Sequence, residues 1–202
     1  MGIKNLYKLI SEYAPQSITN KKLSSYKNKI LVIDVSLVIY QYVIAIRNTG
    51  DDLRNNEGEM ITHILGVINK TIMLLKNKIL PIYVFDGKAP KIKSVTLKNR
   101  KVIKEKFIKK LEDCDYKTEE DRIKYFKKCY TITKEHKLQI QEILKLFGIP
   151  FFESVNEADS LCAWLVKNKF GYGVSSEDMD LLTFNSDILI RGLSSKKKVI
   201  EI

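Results

Sequence analysis

Two short apolar runs, each rich in β-branched residues, lead directly into an aspartate: Lys29–Ile33 into Asp34, and Ile79–Phe85 into Asp86. Runs of this length and makeup predict buried strands. Between them lie two helical patterns. Ser36–Arg47 is largely apolar, and Glu59–Leu75 sets Ile61, Ile64, Leu65, Ile68, Ile72 and Leu75 at helical spacing. The order strand, helix, strand implies parallel pairing in a sheet covered by helices, hence an α/β fold.

The middle of the chain has another character. Lys91–Leu111 and Glu119–Lys128 read as helices too polar to bury much, so they need a reason other than core packing to exist. Charge supplies one. The chain carries a formal +11, and residues 91–137 hold 16 Lys or Arg against 8 Asp or Glu, a local +8. A clustered excess favours a nucleic-acid partner over merely solubilising charge. Beyond it, Lys134–Phe147 resumes an amphipathic helix that Gly148 stops. Ile149–Phe152 and Gly171–Ser175 predict strands, with a helix over Ala158–Lys167 between them and short strands at Ile188–Ile190 and Val199–Ile200. No apolar run reaches the ~18 residues of a membrane span, and the start lacks the zones of a signal peptide. Cys114, Cys129 and Cys162 are scattered, which predicts reduced thiols in an intracellular protein.

The acids are placed where an open parallel sheet binds ligands, beyond the carboxyl ends of its strands. Asp34 and Asp86 end the first two strands, Glu157 and Asp159 follow the third, and Asp178 and Asp180 follow the fourth. Each acid taken singly also suits a helix N-cap, Asp34 before Ser36–Arg47 especially. Taken together they repel one another, and such a crowd is tolerated only with protons or cations. The two histidines, His63 and His136, sit inside helical stretches and read as ordinary helix residues. An all-oxygen donor set suits magnesium or manganese and points to phosphoryl chemistry.

Five blocks then carry a resemblance. Met1–Leu6, Ile33–Ser36 through Tyr40-Gln41, Tyr83–Pro90, Glu157–Asp159 and Ser176–Asp180 resemble, in order and spacing, the flap endonuclease family. Arg47–Leu53 with Asn56–Glu59 is similar to that branch in particular, and the resemblance covers essentially the whole chain. It implies a mostly parallel central sheet flanked by helices, with a charged helical gateway or cap inserted, the 5′-nuclease (PIN-like) fold. The expected organisation is one catalytic domain over 1–202, with an amino-terminal nuclease region over 1–107, the gateway over 91–130 and an internal region over 131–202 that is cut short.

The same resemblance implies the chemistry: hydrolysis of DNA at 5′-flap junctions, with 5′-3′ exonuclease activity, in replication and repair. Asp34, Asp86, Glu157, Asp159, Asp178 and Asp180 match acids that hold two Mg²⁺ ions, with Mn²⁺ able to substitute. Lys93 and Arg100 match basic residues that steer the scissile phosphate, and Tyr40 matches an aromatic that stacks on a base. Arg47, Lys70, Glu157 and Gly2 match positions at or near the DNA. Lys70 stands where the family usually has Arg, which keeps the charge but loses the bidentate fork. Asp159 stands where Glu is usual, one methylene shorter. The implied partners are DNA with a 5′ flap, nick or gap, a sliding clamp only if a longer carboxyl-terminal part exists, and no membrane. The implied location is inside the cell wherever its DNA is replicated, the nucleus in a cellular eukaryote. A DNA-junction scaffold without catalysis, a mismatch-repair 5′ exonuclease and a small PIN ribonuclease are the rival readings.

Overall fold

A computed structural model describes residues 3–193 and 199–202. Its centre is a seven-stranded sheet in the order β1-β7-β6-β5-β2-β3-β4. The strands are β1 (Thr19–Lys21), β2 (Ile30–Asp34), β3 (Leu80–Phe85), β4 (Phe151–Glu153), β5 (Gly173–Ser175), β6 (Leu189–Arg191) and β7 (Val199–Glu201). From β6 to β4 all neighbours run parallel, and β7 and β1 close one edge antiparallel.

Side-chain alternation along β2 and β3 explains why both faces are covered. Leu31, Ile33, Tyr83 and Phe85 face one core. That core is completed by α2 (Val35–Arg47), α3 (Thr62–Lys76) and α6 (Lys134–Leu146). Val32, Ile82 and Val84 face the other, under α7 (Ala158–Lys167). The chain steps outward from β2 to β3 to β4, and α7 then returns it to β5 on the far side of β2. Such a reversal of strand order opens a crevice at the strands' carboxyl ends.

Two expectations need correcting. The second helix starts at Thr62, not Glu59, because the preceding residues fold into a turn. There the Asn55 side-chain oxygen accepts the amides of Glu57 and Glu59 at 3.0 and 2.8 Å. Its buried stripe is also rotated, with His63, Gly66, Val67, Thr71 and Leu74 inside while Ile72 and Leu75 are 40% exposed. The cause is the close approach of α2, since a Cβ on Gly66 would meet Tyr42 Cβ at 2.8 Å. The sequence reading also passed over a first helix, α1 (Leu6–Tyr13), and the edge strand β1.

The charged pair is helical as expected: α4 (Ser94–Glu112) follows a single 3₁₀ turn at Lys91–Lys93, and α5 (Glu119–Lys128) returns beside it. Neither buries a residue fully, and they meet through Phe107 and Tyr125, ring centroids 5.1 Å apart. Among the described residues no helix is long and apolar enough to cross a membrane.

Candidate active site

Parallel register aligns the ends of four strands. Asp34 pairs with Val84, Phe85 with Glu153, and Ile33 with Ser175, so the residues that follow each strand emerge on one edge. Asp34 is 7% exposed and caps α2, its Oδ1 accepting the Ser36 amide at 2.8 Å. Asp178 does the same for the 3₁₀ turn Met179–Phe184, accepting the Asp180 amide at 3.0 Å. Capping and metal ligation are compatible, because one N–H leaves most of a carboxylate's lone pairs free.

Asp86 is held from two sides. Its Oδ1 accepts the Ala158 amide at 2.9 Å and its Oδ2 accepts the Ser36 hydroxyl at 2.6 Å. The next residue is glycine because nothing larger fits: a Cβ on Gly87 would lie 1.9 Å from the Ser154 carbonyl oxygen. That close approach lets Gly87 and Lys88 donate their amides to the carbonyls of Asn156 and Val155, which ties the Asp86 loop to the segment carrying Glu157. On the far side the Lys137 ammonium donates to the Asp86 carbonyl at 2.5 Å.

The acids feel one another. Burial, with Asp86 and Asp159 nearby, pushes Asp34 up to about 8. Burial, then Asp178, Asp86 and Glu157, push Asp159 up to about 6, with Lys93 opposing. Asp34, Asp86, Glu157, Asp159 and Asp178 therefore form one electrostatic group. Asp180 stands at its rim, where its Oδ1 accepts the Ile3 amide at 2.7 Å. No three His, Cys, Asp or Glu side chains among the described residues converge with ready-made ligating geometry. Like charges turn instead toward N–H groups and cations, as Glu157 does toward the Lys93 ammonium at 2.6 Å. The donors are all oxygen, and Asp34 and Asp159 are held above the ordinary carboxylate range by burial first and then by neighbouring acids. Such a set fits a hard divalent cation. The histidines are elsewhere, stacked on each other 4.1 Å apart between α3 and α6.

Beside the acids, α4 overhangs a cleft of about 600 Å³ lined by Tyr40, Leu97, Arg100, Lys104, Lys128 and Tyr130 among others. Tyr40 is 37% exposed and meets Tyr130 edge-on at 5.6 Å. Arg100 and Tyr40, read from sequence as separate contacts, thus share one wall. Lys104, one turn beyond Arg100 on α4, joins them, as do Lys128 and Tyr130 where α5 packs against α2; none of the three was singled out beforehand.

Two expected DNA contacts are committed internally. Arg47 is 6% exposed, with Nε and Nη2 donating to both oxygens of Asp52 at 2.8 and 2.7 Å and Nη1 donating to the Phe126 carbonyl at 2.6 Å. Its guanidinium also lies 4.0 Å over the Phe126 ring, so it latches α5 to α2 and presents no free fork. Lys70 donates to the Leu193 carbonyl at 2.5 Å, and burial pushes its ammonium down to about 8. Gly2 lies outside the described residues.

The chain matches the XPG N-terminal domain over residues 1–107 and the XPG I-region over residues 148–201. It is 39% identical to human flap endonuclease 1 over 198 residues, 98% of this chain and 52% of that protein. With flap endonuclease 1 of Glossina morsitans morsitans the identity is 42% over 195 residues, 96% of this chain and 51% of the relative. The chain therefore spans about half the length of the relatives it matches. Among solved structures it resembles flap endonuclease-1 from Methanococcus jannaschii, with TM-score 0.68 and 30% identity over 96% of this chain and 62% of that one. It also resembles the catalytic core of Rad2 in complex with DNA substrate, with TM-score 0.66 and 26% identity over 95% and 52% of the two chains. With its acids gathered at the carboxyl edge of a mostly parallel sheet and basic helices standing beside them, the chain belongs to the flap endonuclease family, as the amino-terminal catalytic part.

Proposed function

We propose that this chain carries the catalytic centre of a structure-specific nuclease that hydrolyses one phosphodiester of DNA at a 5′-flap junction, with divalent magnesium as its cofactor. The observation that carries this reading is the gathering of acids from four chain segments at one edge of the sheet, with Lys93 at the foot of α4 set against Glu157. Asp34, Asp86, Glu157, Asp159, Asp178 and Asp180 would hold the metal. When bound, magnesium activates water and stabilises the leaving oxygen.

The chain's own groups do the rest. Lys93, seated against Glu157, is poised to exchange that carboxylate for a phosphate oxygen once a cation neutralises the acid. Arg100 and Tyr40 share a cleft, so a phosphate and the base beside it can be held together, one by charge and one by stacking. Lys and Arg of α4 and α5 track the backbone of the single strand without reading its sequence. Recognition is then of junction shape.

The test is cleavage of three end-labelled DNAs, a double flap, a linear single strand and an intact duplex, in magnesium and in chelator. Incision confined to the flap junction and abolished by chelator is the expected result. Equal cutting of all three, or cutting in chelator, would contradict the proposal.

A further inference from the structure

Among the described residues, Ser36 is the one whose two donors serve two different acids of the site. Its amide goes to Asp34 Oδ1 at 2.8 Å and its hydroxyl to Asp86 Oδ2 at 2.6 Å. The second bond has the length of a charge-assisted O–H···O⁻ contact. Asp86 follows β3 and has no strand partner to fix its side chain, so its orientation depends on the donors it meets. These come from opposite sides, the Ala158 amide at the start of α7 on one oxygen and Ser36 at the start of α2 on the other. Two donors on two oxygens define the carboxylate plane, and hence where its remaining lone pairs point.

Helix formation does not call for this hydroxyl. Asp34 already occupies the N-cap of α2, which leaves Ser36 at the second helical position. Alanine is the better helix former there. The serine instead supplies a donor between two carboxylates, its amide on one and its hydroxyl on the other. Resting on the nuclease reading above, we propose that Ser36 is a positioning residue, which orients Asp86 for metal through its hydroxyl and holds Asp34 through its amide.

The experiment measures Mn²⁺ binding by electron paramagnetic resonance on the 202-residue chain, alongside Ser36→Ala and Ser36→Thr. Loss of an outer partner of a metal ligand typically costs ten- to a hundredfold in affinity or activity. Ser36→Ala should bind Mn²⁺ about tenfold more weakly, and Ser36→Thr, which keeps the hydroxyl, should return to within about threefold of the parent. The metal-free melting temperature should hardly move in either variant. On flap DNA, kcat should fall in Ser36→Ala while KM stays put. Unchanged Mn²⁺ affinity in Ser36→Ala would overturn the proposal, whatever the rate does. If the parent chain binds no Mn²⁺ at millimolar concentration, the metal-site reading fails first and takes this role with it.

Discussion

Asp34 serves two purposes that a substitution can separate. Asparagine caps a helix as well as aspartate does, so Asp34→Asn should keep the start of α2 while removing the charge. Because burial and neighbouring acids raise the folded pKa of Asp34 to about 8, far above that of an unfolded aspartate, the folded state holds a proton that the unfolded state has released. Stability from this group is therefore present at acid pH and is lost as pH climbs from about 4 toward 8. In chelator, Asp34→Asn should melt higher than the parent at pH 8, by the order of 1 kcal/mol or ~2–4 °C. Melts from pH 5 to 8.5 would check this, and parallel pH slopes for the two proteins would refute it. At this scale the position of the acids in the fold was legible, because a strand's end fixes where the next side chain goes. The internal pairing of Arg47 and of Lys70 was not legible. Their charge is visible in the sequence, but whether it faces solvent depends on α5 closing over Arg47 and on the Leu193 carbonyl reaching Lys70.

Elements decide the site's precision. The Asp86 loop and the Glu157 segment approach until only glycine fits between them, so Gly87→Ala must push two backbones apart. Overpacking of this kind costs about 1–3 kcal/mol. The expected result is a lower melting temperature together with weaker metal binding, read by thermal melts and Mn²⁺ titration; wild-type values in both would contradict the close packing. At the foot of α4 and on it, Lys93→Ala and Arg100→Ala should each slow the single-turnover step by about 10² while weakening DNA affinity far less. Weaker binding at an unchanged rate would reduce them to general phosphate contacts. Strand and helix order was readable from hydrophobic period, and the polar α4 and α5 from charge. The phase of α3 was not, because the partner that selects its buried face, α2 at Tyr42, is a tertiary contact no local pattern records. The three-residue edge strand β1 escaped for a similar reason, since Thr19–Lys21 carries no apolar alternation and is a strand only because β7 lies beside it.

Across the whole molecule, charge is divided by sign. Six acids stand at the sheet's carboxyl edge, and most of the +11 excess lies in residues 91–137, a segment that spans α4 and α5. A polyanion is thus drawn to the helices, while the acids repel it until a cation intervenes. On the proposed function, these acids hold metal for hydrolysis and do not grip DNA. Asp86→Ala tests it most directly, with flap-DNA affinity and magnesium-dependent single-turnover cleavage measured on the same preparation. Removing this acid would take away a proposed metal ligand and also lower repulsion toward phosphate. The expected result is cleavage lost by several orders of magnitude with DNA affinity equal to the parent or higher. Cleavage at the parental rate would contradict the account.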